Sequence, residues 1–81
     1  MRKYKLTKET KVFRGITLHR IQALKSFGNV SKGDLGGWIE KEENLSQEGN
    51  AWVSGEAKVS GTNKLVGNAV MSGSAILFGG E

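Results

Sequence analysis

The 81-residue chain contains no cysteine, and its single histidine is His19. Without cysteine, disulfide bonds and thiolate zinc sites are excluded, and nothing points to an oxidising compartment. No apolar run approaches the roughly 18 residues that a membrane-spanning helix needs. The charged start, Met1-Arg2-Lys3-Tyr4, is unlike a secretory signal. We therefore expect one small cytoplasmic domain that does not associate with membranes.

Glycine is abundant by contrast, and in the C-terminal third it falls at every sixth position. The glycines of this series are Gly49, Gly55, Gly61, Gly67, Gly73 and Gly79. Neither a helix nor a simple strand has this period, so it predicts a repeated structural unit. A small residue, usually alanine, follows most of these glycines by two positions, and an aliphatic residue or methionine follows by four. The unit is Gly-polar-Ala-any-Val/Leu-any, which is typical of a hexapeptide β-helix.

Three such units would close one triangular coil of about 18 residues, and coils would stack about 4.8 Å apart. The small and aliphatic positions would point inward, while glycine at the corners admits backbone angles that other residues resist. Gly37 is in phase with Gly49 and would belong to the same series. The sequence therefore predicts an all-β fold in which residues 33–81 form a short left-handed parallel β-helix of two to three coils.

The N-terminal residues have a different pattern. Residues 3–7 alternate as a half-buried strand does, with Tyr4 on the buried face and Lys3 on the other. Residues 11–14 and 16–24 predict a hairpin that turns at Arg14-Gly15. This part of the chain is therefore expected to be antiparallel.

Within the hairpin, Val12, Ile16 and Leu18 should alternate inward. Past Arg20 the apolar positions change phase, which indicates either a bulge or the start of a short helix, and we favour the bulge. Residues 1–32 are thus predicted to be a basic antiparallel β module that caps the β-helix. The two parts should form one cooperative unit.

Two segments carry a resemblance to a known family. They are Arg20-Ile-Gln-Ala-Leu-Lys-Ser-Phe-Gly-Asn-Val-Ser-Lys-Gly-Asp-Leu-Gly-Gly-Trp-Ile-Glu and Asn44-Leu-Ser-Gln-Glu-Gly-Asn-Ala-Trp-Val. Both resemble small phage and prophage proteins that join such an N-terminal module to runs of Gly-Asn-Ala-x-Val-x. This chain has few repeats, and Thr62-Asn63-Lys64 departs from the consensus. Because the family is of largely unknown function, the resemblance implies the β-helix fold and a phage origin more than any activity, and it carries over no functional residues. A phage origin places the protein in the cytoplasm of a bacterial host.

Hexapeptide β-helices are best known in acyltransferases, which use a histidine on the coil surface as general base. His19 precedes the predicted coils, so we expect no enzymatic activity. The acidic residues lack the spacing of a metal-binding loop, so no metal or other cofactor is predicted.

Trp38 and Trp52 fall at outward positions of the repeat. Either both pack beneath the N-terminal strands, or at least one anchors a partner. Residues 1–25 hold eight basic residues against one acid, net +7, whereas residues 26–81 hold four against seven, net −3. A basic end can attract an anionic partner. The candidate partner-binding residues are Trp38, Trp52, Lys3, Lys5, Lys11, Arg14 and Arg20.

The C-terminal end of the predicted β-helix carries apolar side chains and no polar cap. We expect copies of the chain to meet there, and the candidate interface residues are Met71, Ile76, Leu77 and Phe78. Such a contact would make the protein a homo-oligomer, most simply a dimer.

The resemblance implies a phage origin, and small phage proteins of unknown role are often inhibitors of host defence. Together with the expected lack of catalysis, it implies a non-catalytic, phage-derived module that binds a host protein, for instance a defence protein such as a CRISPR nuclease. One alternative is a structural module that assembles only with itself. The other is a nucleic-acid binder that acts through the basic N-terminal strands.

Overall fold

A computed structural model describes residues 2–78 of the chain, and its secondary structure is almost entirely β. The strands are β1 (Tyr4–Phe13), β2 (Ile16–Ala23), β3 (Leu35–Ile39), β4 (Trp52–Val53), β5 (Lys58–Val59), β6 (Val70–Met71) and β7 (Ile76–Leu77). A three-residue 3₁₀ helix spans Glu42–Asn44. The predicted all-β class is confirmed. Among residues 2–78 there is no helix with the length and apolar character that crossing a bilayer requires.

The strands form two sheets. One has the order β1-β2-β3-β5-β7, and the other consists of β4 and β6. β1, β2 and β3 pair antiparallel, whereas β3-β5, β5-β7 and β4-β6 pair in parallel. The N-terminal part is therefore antiparallel as predicted, the later strands are parallel, and one sheet runs continuously through both.

The parallel strands pair at intervals close to one predicted coil. Val59 lies opposite Leu77, and Val53 lies opposite Met71, so in both pairs the partners are separated by three hexapeptide units. Ile39 lies opposite Val59, and this interval is longer than the other two. The difference arises because two extra residues lie in the segment 46–49, ahead of β4.

Those two residues change the role of Gly37. The later glycines of the series have positive φ, between 62° and 73°, as expected for corners: Gly49, Gly55, Gly61, Gly67 and Gly73. Gly37 does not have a positive φ, and it lies opposite Ala57 at a small inward position. A Cβ on Gly37 would lie 2.6 Å from both the Ala57 carbonyl oxygen and Val53 Cγ1. The prediction that Gly37 belongs to the corner series is therefore wrong, and Gly79 lies outside the described residues.

β1 is one ten-residue strand, although its sequence suggested two shorter ones. Its pairing with β2 shifts between Leu6 and Thr10, so the strand changes the face that it turns inward. Beyond the shift Lys11 and Phe13 face the later strands, and Val12 is 70% exposed. The prediction that Val12 faces inward is wrong for this reason.

In β2 the inward placement of Leu18 is confirmed, because this side chain is buried. The pairing of β2 with β3 shifts between Arg20 and Gln22. This shift confirms the bulge that the change of apolar phase indicated, and β2 continues through it as a strand.

The tip of the hairpin reaches Phe78, the residue after β7. The Phe13 and Phe78 rings meet edge to face with centroids 5.9 Å apart, and the Arg14 guanidinium lies 5.0 Å from the Phe78 centroid. The N-terminal hairpin therefore pairs with β3 and also runs along one side of the parallel strands as far as Phe78.

Candidate functional site

Trp38 lies in a closed cluster beneath the hairpin. Its side chain is 3% exposed, and the Lys11 ammonium and the Arg20 guanidinium each lie 4.6 Å from its ring centroid. Trp38 Nε1 donates to Glu56 Oε1 at 3.2 Å. Lys11 Nζ and Arg20 Nη2 donate to the same carboxylate at 3.1 and 3.2 Å. Hydrogen bonds from Lys11 and then Trp38 hold the pKa of Glu56 below its usual range.

This cluster engages three of the candidate partner-binding residues within the molecule. The ring of Trp38 is shielded by two cations, and those cations share one carboxylate. The geometry favours the alternative in which Trp38 packs beneath the N-terminal strands.

Lys3 is buried, although the strand pattern placed it on the solvent face. Its ammonium donates to the carbonyl oxygens of Ala51, at 2.7 Å, and Gly49, at 3.3 Å. The ring of Phe27 lies 4.8 Å from the same nitrogen. Burial, followed by the charge of Lys25, lowers the pKa of Lys3. The expectation that Lys3 is a solvent-facing cation is wrong, because its ammonium is buried against two backbone carbonyls just before β4.

Lys5 and Arg14 are exposed, the latter at the hairpin tip. Arg14 has a positive φ of 55°, and its guanidinium stacks on Phe13 and Phe78. The five basic candidates therefore do not form one continuous cationic surface.

Trp52 borders a groove that the structure reveals. The indole is 4% exposed because Phe27 and Tyr4 pack against it edge to face, with centroids 5.4 and 6.4 Å away. Beside it lies a groove of about 470 Å³. Its lining residues are Gly28, Asn29, Val30, Asp34, Leu35, Asn50, Trp52, Ser54, Asn68 and Val70.

The groove combines apolar walls with amide groups. Leu35 and Val70 are both more than half exposed. Asn50 and Asn68 each follow a glycine of positive φ, and the Asn50 N–H donates to the Gly67 carbonyl. The groove thus offers apolar contact together with amide donors and acceptors.

One wall of the groove is the loop between β2 and β3, and internal hydrogen bonds hold it. Phe27 and Val30 exchange two backbone hydrogen bonds of 2.9 and 2.7 Å. Asp34 Oδ2 accepts from the Ser31 N–H at 2.9 Å. The Asp34 carbonyl accepts from the Ala23 N–H, which joins the loop to β2. This wall is therefore held by hydrogen bonds within the chain itself.

The sequence analysis missed the groove. The groove-lining residues that the sequence could have indicated are Gly28 in the loop and the asparagines after the corner glycines. In the sequence these look like ordinary turn residues. They line one surface because the register places the β2-β3 loop beside β4 and β6.

A second cavity, of about 490 Å³, is lined mainly by acidic and polar side chains, including Glu42, Glu43 and Glu48 with Lys64. Within residues 2–78 no group of three or more histidine, cysteine or acidic residues is arranged to hold a metal ion. His19 lies in β2 opposite Thr10 and Ile39, on a different element from either cavity.

Comparison with known proteins gives one informative similarity. No family model matches the chain. The chain is 39% identical over 61 residues to a protein of Escherichia coli (strain K12) named uncharacterized acetyltransferase YdcK. That alignment covers 65% of this chain and 19% of the relative. The relative's name agrees with the hexapeptide-repeat interpretation, and the chain spans about a fifth of its length.

Proposed function

We propose that residues 33–81 form a short left-handed parallel β-helix of two to three coils, joined to the N-terminal module as one cooperative unit. The support is the parallel pairing of strands at intervals close to one coil. Left-handed glycines at regular corners agree with it. A stacked body of this kind presents regular outer faces, which suits it to bind other macromolecules.

The function that the geometry supports best is a non-catalytic module that binds another protein through the groove beside Trp52. The observation that carries this proposal is the groove itself, with its loop wall held by hydrogen bonds and with Leu35 exposed in it. A preformed wall lowers the entropy cost of binding. Leu35 supplies apolar contact, and Asn50 and Asn68 can bind the backbone of a partner segment.

The resemblance to small phage proteins gives this proposal its biological setting. The partner would be a host protein in the bacterial cytoplasm, and the module would act as an inhibitor of a defence protein such as a CRISPR nuclease.

Affinity capture with paired variants tests the proposal. The wild-type chain is immobilised and exposed to bacterial lysate beside Leu35→Lys and Val12→Lys, because both residues are exposed and Val12 lies outside the groove lining. We expect one stoichiometric host protein with the wild type and Val12→Lys, and its loss with Leu35→Lys. Equal capture by all three chains would contradict the groove.

The same capture also tests the nucleic-acid alternative. Phosphate contacts weaken steeply as salt is added, whereas apolar contacts in the groove should not. Recovered nucleic acid that is released by moderate salt, and lost in Arg14→Ala, would replace the protein-binding proposal.

A second candidate function rests on the similarity to the named acetyltransferase. Under this alternative the chain corresponds to a fifth of an enzyme and supplies part of its body. An assay of coenzyme A release from acetyl-coenzyme A with a panel of amine acceptors separates the two. The protein-binding proposal expects no release above the protein-free rate, and release that rises with protein concentration would contradict it.

A further inference from the structure

The buried ammonium of Lys3 contacts residues that support both walls of the groove. It donates to the carbonyl oxygens of Gly49 and Ala51, and these two residues lie on either side of Asn50, which lines the groove. On its other side the ring of Phe27 lies 4.8 Å from the same nitrogen, and Phe27 belongs to the β2-β3 loop. One cation therefore connects the loop with the segment ahead of β4.

The two hydrogen bonds hold the peptide groups that flank Asn50. In a planar trans peptide, the carbonyl and the following N–H point in opposite directions. The N–H groups of Asn50 and Trp52 donate to carbonyls of the segment 67–69, at 2.9 and 3.1 Å. The carbonyls of the same peptide groups, those of Gly49 and Ala51, point the other way, toward the ammonium. Both peptide groups are thus bound at both ends, which fixes the backbone from which the Asn50 side chain projects.

On the loop side, the ammonium acts through Phe27. A cation is attracted to the face of an aromatic ring, and more strongly where water is excluded. The Phe27 ring packs edge to face on the Trp52 indole, with centroids 5.4 Å apart. A Cβ on the next residue, Gly28, would lie 3.5 Å from Asn50 Cβ, so the loop lies against Asn50 as well. The position of Phe27 therefore affects both the aromatic and the amide part of the groove.

An apolar side chain of the same length could not replace this ammonium. Lys3 is 0% exposed, and burying a charge is costly unless polar partners compensate for the lost water. A lysine ammonium carries three donors on a compact head, so it can bind both carbonyls at once. Without it, two buried carbonyl oxygens would lose this donor, and their peptide groups would be held from one side only.

We propose that Lys3 is a positioning residue of the groove, whose ammonium fixes the backbone around Asn50 and holds the Phe27 ring against Trp52. The inference rests on the proposed function for its biological meaning, because Lys3 itself does not touch the partner. The sequence analysis counted Lys3 among the partner-binding residues for its charge. Its effect on binding is instead indirect, through the shape of the groove.

The absence of cysteine from the chain allows the ammonium alone to be removed and restored. Lys3→Cys introduces a single thiol, which is alkylated in denaturant with bromoethylamine or with bromopropane before the chain is refolded. The aminoethyl product regains an ammonium at the end of a side chain as long as lysine. The propyl product has the same length and no charge, so it is the matched control.

NMR of the folded products, without any partner, measures the shape of the groove. We expect the nuclear Overhauser cross-peaks that join Phe27 to Trp52 and Gly28 to Asn50 to be present in the aminoethyl product and lost in the propyl product. The cross-peaks between Trp38 and Arg20 should be unchanged in both, because this pair lies in the cluster around Glu56. A role in stability alone would leave all native cross-peaks in place.

Three results would overturn the proposal. The first is a folded propyl product that keeps the groove cross-peaks, and the second is an equal loss of the cross-peaks between Trp38 and Arg20. The third is a propyl product that fails to fold while the aminoethyl product folds, because the role would then extend to the whole fold. If neither product refolds, the wild-type chain decides: its Lys3 ammonium should give a resolved signal with cross-peaks to the Phe27 ring, and their absence would overturn the proposal.

Capture of the host protein is a separate measurement. The aminoethyl product should capture it as the wild type does, and the propyl product should lose it. If the wild-type chain captures no protein, the proposed function fails, while the cross-peaks still decide whether Lys3 positions the groove.

Discussion

β3 and β7 lie in one sheet, in register through β5, and differ in what surrounds them. Ile39, Val59 and Leu77 form one column of inward side chains, and their exposed fractions are 0%, 0% and 38%. The first two lie beneath the N-terminal module, where Tyr4 and Ile21 join the same core. The hexapeptide pattern therefore sets the register of the parallel strands, and neighbouring elements determine how far each strand is buried.

The largest expected effect comes from truncating this column at its two ends. Ile39→Ala leaves a cavity in a filled core and should lower the free energy of unfolding by about 2 to 5 kcal/mol. Leu77→Ala removes contacts that are partly open to solvent, so its cost should be less than about 1 kcal/mol. Urea unfolding of both variants measures the difference.

Equal losses for Ile39→Ala and Leu77→Ala would contradict the comparison between the coils. If Leu77 is buried in a dimer, the decrease in unfolding free energy caused by Leu77→Ala should approach that caused by Ile39→Ala only at high protein concentration. Repeating the urea titration at two concentrations separates burial within one chain from burial between copies.

Glycine offers a second way to distinguish the coils. Gly37→Ala should cost about 3 kcal/mol, because its Cβ would overlap the Ala57 carbonyl oxygen and Val53. A Cβ on Gly67 would have no atom within 4 Å. The φ of 64° at this position is nevertheless strained for alanine, so Gly67→Ala should lower the free energy of unfolding by about 1 to 2 kcal/mol.

Asparagine at the same two positions separates crowding from strain. It tolerates left-handed angles, so Gly67→Asn should be milder than Gly67→Ala. Gly37→Asn should be worse than Gly37→Ala, because the added atoms enter the same crowded space. The same order of effects at both sites would mean that Gly37 is a corner after all.

The six-residue period was sufficient to predict the parallel strands and the corner glycines. The period reports on the backbone path, which depends on local residue types such as glycine and alanine. The sequence also indicated the hairpin at Arg14-Gly15 and the bulge near Arg20, both of which the structure confirms. These are local features, and local sequence determines them.

Other features depend on contacts between distant residues, and the sequence did not reveal them. The two extra residues in the segment 46–49 change the position in the six-residue repeat of every residue before them. Gly37 was therefore assigned to the wrong position of the repeat. Lys3 looked exposed because alternation cannot show that its ammonium finds two carbonyls in the first coil. Asn44 is buried, and its side-chain amide donates to the carbonyls of Gly61 and Asn63. Each of these polar groups is explained only by its partner in the folded chain.

Tyr4 joins the N-terminal module to the first coil, so it tests what protects that coil. Its hydroxyl donates to the Leu45 carbonyl and lies 3.0 Å from the Glu42 carbonyl. Burial, followed by the charge of Glu42, raises the pKa of Tyr4. Because the folded pKa lies above the unfolded value, stability from this group is complete below the unfolded pKa, near 10, and is lost as pH rises further.

Tyr4 is the single tyrosine of the chain, so ultraviolet difference spectroscopy reports on this phenol alone. We expect the native phenol to titrate above the pH at which it titrates in denaturant. Tyr4→Phe should lose about 1 to 2 kcal/mol near neutral pH, and the difference from wild type should shrink above pH 10. Identical native and denatured titrations would contradict the buried hydrogen bond.

The smallest effect is expected at Glu56, where the hairpin crosses the outer face of the coils. Its pKa is lowered by hydrogen bonds from Lys11 and Trp38, so its contribution to stability is present above the unfolded pKa and is lost as pH falls through the folded pKa. Glu56→Gln should therefore lower the unfolding temperature by a few degrees at neutral pH. On acidification, the unfolding temperature of this variant should decrease less than that of the wild type.

The two tryptophans provide an internal control, because Trp38 Nε1 donates to Glu56 whereas Trp52 packs against Phe27 and Tyr4. The indole N–H resonance of Trp38 should follow the titration of Glu56, and that of Trp52 should not. If both resonances moved together, the acid transition would reflect a general loosening around both tryptophans. Packing alone, without the hydrogen bonds of Glu56, would then hold the hairpin in place.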